Sequence, residues 1–183
     1  ITWNAVNCKI LKAYDSGLIF GRYNYTLSSV TFGEKVKAIP ARAFEKCTKI
    51  TEITIPDSVE SIGYNAFENC SALKTLVIGK SLSSIANQAF FGCTSLESIS
   101  ISQENDKYSS SGNCIIDKGS HTLLFGSNNS VIPNDGSVEI IEETAFYGNA
   151  GLKNITIPES VYKISEQAFF GCSGLTSIII PNS

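Results

Sequence analysis

A repetitive α/β solenoid is the fold class this sequence predicts. Three observations predict it: a 23-residue period, an apolar set that returns at fixed positions within each period, and a strand-then-turn pattern inside the unit. The expected form is a right-handed superhelix with short parallel strands on a concave face and short helical or 3-10 turns on the convex side. Written in lines of 23, residues 36–58, 59–81, 82–104, 138–160 and 161–183 align without gaps. The apolar set Val36, Ile39, Ala43, Phe44, Ile50, Ile53 and Ile55 returns as Val59, Ile62, Ala66, Phe67, Leu73, Leu76 and Ile78, then as Leu82, Ile85, Ala89, Phe90, Leu96, Ile99 and Ile101.

Each element of the unit has a physical reading. The L-x-x-I-x-I segment alternates inward and outward residues, as a half-buried strand must, so one short strand per repeat is expected. Pro56, Pro158 and Pro181, with Gly79 in their place in the second line, end that strand because they lack a donor or favour a turn. The V-x-x-I-x-x-x-A-F-x-x-C segment then returns the chain, and its spacings of three and four suit a short helical or 3-10 turn. One such unit buries too little to hold itself together, so like residues must lie over like in successive coils, with the backbone satisfied in a parallel ladder.

The whole chain reads as a single domain of such units, an excerpt of a longer array. Residues 1–35 hold divergent N-terminal repeats: Ile1-Thr2-Trp3 resembles a strand, Ala13 to Thr26 is degenerate, and Leu27, Val30 and Phe32 fall one period before Ile50, Ile53 and Ile55. Three regular repeats fill 36–104 and two fill 138–183. Between them, 105–137 is an enlarged repeat with a hairpin of Cys114-Ile115-Ile116 and Thr122-Leu123-Leu124-Phe125 about a turn at Asp117-Lys118-Gly119-Ser120. The last residues stop in phase without a polar cap, which leads us to expect further repeats beyond the C-terminus.

Six cysteines invite a disulfide reading, but their positions argue against it. Cys47, Cys70, Cys93 and Cys172 fall at one repeat position, so their side chains leave neighbouring coils in parallel, which fits the geometry of a bridge poorly. Asn24 and Asn149 occupy the same position. Cys and Asn share size and the ability to donate to a nearby carbonyl, so Asn24, Cys47, Cys70, Cys93, Asn149 and Cys172 are read as a buried structural ladder. Cys8 and Cys114 lie off it, and no C-x-x-C spacing suggests zinc or redox chemistry.

Composition and motifs exclude several functions. A net charge of −3 with scattered Lys and Arg offers nothing to neutralise phosphates, so nucleic acid is not expected as a partner. No apolar run approaches the length of a membrane span, so no membrane insertion by this chain is expected. The acids, among them Glu52, Asp57, Glu60, Glu68, Glu97, Glu142, Glu143 and Glu166, occupy variable outward positions and form no catalytic pairing. His121, the single histidine, lies at the hairpin turn with no nucleophile placed beside it by a motif. Neither an enzyme nor a cofactor is expected. Sequons at Asn24, Asn69, Asn128 and Asn154 are short enough to occur by chance.

What remains for recognition is the outward face of the strands. Ser29 and Thr31 open it, and Glu52, Thr54, Thr75, Val77, Ser98, Ser100, Asn154, Thr156, Ser177 and Ile179 are the candidate concave binding face, read as one continuous surface. Small polar side chains in a strip suit a broad, shallow partner better than a small-molecule pocket. The enlarged repeat is the second candidate, through Tyr108 and His121, with Phe125 beside them, because loops that interrupt a regular scaffold often carry recognition.

The units V-E-S-I-G-Y-N-A-F-E-N-C-S-A-L-K-T-L-V-I (Val59 to Ile78) and V-Y-K-I-S-E-Q-A-F-F-G-C-S-G-L-T-S-I-I-I-P-N-S (Val161 to Ser183) closely resemble the BspA-like class of leucine-rich repeats. The resemblance covers nearly the whole chain and rests on buried positions. It implies a leucine-rich-repeat fold and an extracellular or cell-surface module for adhesion, with a protein or glycan on host matrix or neighbouring cells as partner. The alternative it leaves open is a structural spacer that supports a separate functional domain. The exposed residues that would choose a partner match no family pattern, and nothing in them fixes an oligomeric state.

Overall fold

The structure is a computed structural model, and it describes Thr2–Trp3 and residues 26–181. Asn24, Cys8 and the degenerate stretch up to Tyr25 lie outside the described residues. The chain forms a β-solenoid of about six turns with stacked parallel strands and almost no helix.

Two parallel ladders run along the stack, where one was expected. The longer holds Glu52–Ile55, Thr75–Ile78 and Ser98–Ile101, in strict register from Ile53 to Leu76 to Ile99, and the same arrangement returns in Asn154–Thr156 and Ser177–Ile179. The shorter uses the V-x-x-I segment: Ala38–Ile39, Ser61–Ile62 and Ser84–Ile85 pair in parallel, as do Ile140–Ile141 and Lys163–Ile164. At the N-terminal side, Thr2–Trp3 pairs in parallel with Thr31–Phe32.

The A-F-x-x-C segment corrects the α/β expectation. Among the described residues the only helical element is one 3-10 turn, Ser111–Asn113, inside the enlarged repeat. In the regular coils the segment instead alternates its hydrogen bonds. Phe44, Phe67 and Phe146 donate their N–H groups to Ala66, Ala89 and Ala168 one coil on, at 2.7–2.8 Å, while Cys47, Cys70 and Asn149 close tight turns within the coil. Left-handed residues at two fixed positions make this possible, Arg42, Asn65, Gln88, Thr144 and Gln167 at one and Lys46, Asn69, Gly92, Gly148 and Gly171 at the other. A positive φ interrupts any helix, so spacings of three and four that suit a helix report the coil's tight corners instead.

The core is a stack of identical layers. Phe44, Phe67 and Phe90 lie in single file, with centroids 5.3 and 5.4 Å apart and rings within 9° of parallel. Phe146 and Phe169 resume the file at 4.9 Å. The enlarged repeat divides the buried side chains into two clusters, one from Leu27 to Ile99 with Ile115 and Phe125, the other around Ile116, Leu123, Phe146 and Ile155.

That repeat joins the C-terminal part of the shorter ladder and caps the longer one. Cys114–Asp117 and Thr122–Gly126 pair antiparallel with a bulge at Ile115/Ile116, and Thr122–Gly126 pairs in parallel with Ile140–Ile141. Asp117 fixes the hairpin turn by accepting from Gly119 and Ser120 N–H, and Lys107 lies 2.8 Å from its carboxylate. Burial pushes the Asp117 pKa up, but Lys107 and the two N–H groups outweigh it and hold it below the usual carboxylate value. Side chains then cap the strand edges that the repeat leaves open: Asn113 Oδ1 and Ser110 Oγ accept from Ile99 and Ile101 N–H, and Tyr108 Oη accepts from Ile85 N–H at 3.1 Å. Asn105 is buried and uses both ends of its amide, donating to Gly79 and Leu82 carbonyls and accepting from Lys107 and Tyr108 N–H.

Candidate recognition surface

The residues of the strand face stand where the alternation puts them. Glu52, Thr75 and Ser98 form one row across three coils and Thr54, Val77 and Ser100 a second, over buried Ile53, Leu76 and Ile99. Thr75 is half-buried and the other five are exposed. Asn154 with Ser177 and Thr156 with Ile179 continue the rows in the last two coils, all exposed, and Ser29 and Thr31 are exposed at the other end. The surface is not one continuous sheet, however: Ser110 and Asn113 cap Ser98–Ile101, so the strip is divided into a three-strand and a two-strand patch.

The enlarged repeat behaves differently from the sequence expectation at one residue. Tyr108 is 4% exposed and belongs to the core, because its ring packs with the first cluster while its hydroxyl serves Ile85. It is no surface contact. Burial pushes its pKa up, against the bond to Ile85 that draws it down. His121 is exposed at the hairpin tip, with Nδ1 3.2 Å from the Gly136 carbonyl and 3.7 Å from the Glu139 carboxylate.

The repeated Cys position is a buried rung. Cys70, Cys93 and Cys172 donate their thiols to the carbonyls of Phe44, Phe67 and Phe146 at 3.0–3.2 Å, and Asn149 donates its amide to Gly126 at 2.8 Å in the same role. Cys47, Cys70, Cys93, Cys114 and Cys172 are free thiols. Burial pushes Cys47 up to about 12 and Cys114 up to about 11, and Cys70 is raised by its contact with Cys93 and by burial. Among the described residues no three His, Cys, Asp or Glu side chains gather to hold a metal ion, and no helix is long and apolar enough to cross a membrane.

A cleft beside the hairpin is the feature that repeat reading missed. Its walls are the Ala86–Phe91 turn on one side and Glu142–Thr144 on the other, its floor is Ile115, Leu124 and Phe125, and it is open to solvent. The cause is a short coil. Ile85 and Ile141 are each followed five positions on by the ladder phenylalanine, Phe90 and Phe146, whereas Leu123, paired with Ile141, is followed after three by Gly126. Gly126 holds the phenylalanine's place, since its N–H donates to Ala145 as Phe67 does to Ala89. The outward bulge of the turn is therefore absent from that coil. The interval between Leu123 and Gly126 carried this signal in the sequence.

Comparison with known proteins agrees with this geometry. Among solved structures, the chain is similar to a leucine rich cell surface protein from Faecalibacterium prausnitzii A2-165, with 29% identity and a TM-score of 0.73 over 84% of this chain and 41% of that one. It shares its fold with the pneumococcal vaccine antigen PcpA, at 21% identity and a TM-score of 0.64 over 85% of this chain and 46% of that one. The chain thus spans less than half the length of either. A search of curated proteins finds no match. Six copies of the BspA type leucine rich repeat region match residues 20–135 and 125–183, so the chain belongs to the BspA-type leucine-rich-repeat family.

Proposed function

We propose that the chain is a secreted or cell-surface recognition module that adheres to a protein or glycan of host matrix or of neighbouring cells, and that it works by binding, not catalysis. The observation that carries this reading is the contrast between the two faces of each strand. Ile53, Leu76 and Ile99 are all but inaccessible, whereas Glu52, Thr54, Val77, Ser98 and Ser100 present a varied set of side chains held in fixed register. A rigid strip of this kind offers a broad contact without ordering cost, which favours a macromolecular surface. The F. prausnitzii relative is itself a cell surface protein.

The test is binding of the purified chain to immobilised extracellular-matrix preparations and to intact epithelial cells. Saturable binding is expected, weakened by Glu52→Arg combined with Ser98→Arg. Binding that is unaffected by these changes and by Asn154→Arg would show that the strip is the wrong face.

A spacer role is the second reading, favoured by the strict register in which Glu52–Ile55, Thr75–Ile78 and Ser98–Ile101 stack. A stack held in register by ladders of this kind can hold a separate domain at a distance. Absence of any binding by the chain, together with a functional domain found in the same polypeptide, would favour that role over adhesion.

A further inference from the structure

We infer that the cleft beside the hairpin is a docking groove for an extended segment of a partner polypeptide that carries basic side chains around a small aliphatic one. The first ground is an orphaned backbone donor. Phe44, Phe67 and Phe146 each pass their N–H to the coil that follows, but among the described residues the Phe90 N–H has no acceptor, although Phe90 is only 2% exposed. A buried N–H without a partner is rare in folded proteins and costly. Its counterpart one coil earlier is the Ala89 carbonyl, so the group that completes Phe90 in this lattice is a peptide carbonyl. Across the cleft, the Glu143 carbonyl receives no backbone N–H, as is also true of Asn87 at the same position of a regular coil, so it is open to a donor without itself marking the short coil. The Phe90 N–H therefore offers a backbone donor to a chain laid along the cleft, the main-chain contact by which extended peptides are taken up.

The second ground is the chemistry of the lining. Ile115 and Phe125 are buried in the floor with Leu124 partly so, which suits a short aliphatic side chain. Glu142 and Glu143 stand on the rim, and neither is in an ion pair with a cation among the described residues. A lysine or arginine on either side of the aliphatic residue answers both. This groove is apart from the strand face, so adhesion through the strip and peptide docking here can fail independently.

The test uses the 183-residue chain, isotopically labelled, with the peptide Ac-Lys-Val-Lys-NH2 as probe and Ac-Glu-Val-Glu-NH2 as control. In the free chain the Phe90 amide should exchange with solvent faster than those of Phe67 and Phe146. Titration of the basic peptide should shift the Phe90, Leu124 and Glu143 resonances saturably and slow exchange at Phe90, and the acidic peptide should do neither. The paired variant Glu142→Lys, Glu143→Lys, on half-buried and exposed positions that leave the core alone, should weaken binding by about tenfold or more. Protection of Phe90 equal to that of Phe67 in the free chain, or equal response to both peptides, would overturn the inference.

Discussion

The thiol of Cys93 donates a hydrogen bond to the carbonyl of Phe67, 3.2 Å away in the preceding coil. The same carbonyl also accepts the N–H of Cys70 at 3.1 Å, so one oxygen ties the turn of its own coil to the next. Cys93→Ala removes one of these donors and leaves a small void, and is expected to lower stability by about 1–2 kcal/mol. Cys93→Asn, which supplies a donor as Asn149 does toward Gly126, should retain more stability than alanine does. Urea unfolding of the three proteins decides it: an alanine variant as stable as the parent would show that the thiol contributes no bond.

Alkaline pH should destabilise the stack through two buried thiols, Cys47 and Cys114. Burial raises Cys47 from 9.0 to about 12 and Cys114 from 9.0 to about 11. The unfolded chain therefore releases these protons first, and the thiols' contribution is complete below about pH 9 and declines as pH climbs toward those raised values. The double variant Cys47→Ala, Cys114→Ala should show a shallower decline between pH 8 and 11 in denaturant titrations. An unchanged slope would remove the thiols as its cause.

Truncating the phenylalanine file should cost far more than any change on the strand face. Phe67 is fully buried and stacked on both neighbours, so Phe67→Ala is expected to lose about 3–5 kcal/mol. Thr75→Ala, on the outward row, should stay within about 0.5 kcal/mol. Similar midpoints for the two variants in chemical denaturation would contradict the stacked core.

Gly126 is the glycine that the short coil requires. A Cβ there would stand 2.0 Å from Phe146 Cε1, so Gly126→Ala must displace a buried ring, at a cost of about 1–3 kcal/mol. Gly119 meets nothing closer than 3.5 Å, and Gly119→Ala should be nearly neutral. Thermal unfolding of both variants checks the difference, and a neutral Gly126→Ala would mean that the Phe146 ring has room to move.

Much of the fold was legible because a repeat announces which side chains are buried. Returning Ile, Leu and Phe at a fixed period compels stacking in register, and the parallel pairing of Ile53 with Leu76 and of Leu76 with Ile99 follows from burying like on like. The helical turn was a misreading, since spacings of three and four describe where apolar residues recur and not the sign of φ at Arg42 or Lys46. The second ladder is not legible in the sequence, because two-residue strands such as Ser61–Ile62 are too short to show alternation.

Sequence alone therefore determined the identity of the layers, the outward rows from Glu52 to Ser100, and the shared position of Cys93 and Asn149. Only the tertiary structure decided that Tyr108 turns inward to serve Ile85, that the strand face is divided by Ser110 and Asn113, and that a coil two residues short leaves Phe90 facing a cleft. The physical reason is that periodicity fixes what is repeated from coil to coil, whereas the consequences of an interruption depend on which backbone groups its neighbours are left holding.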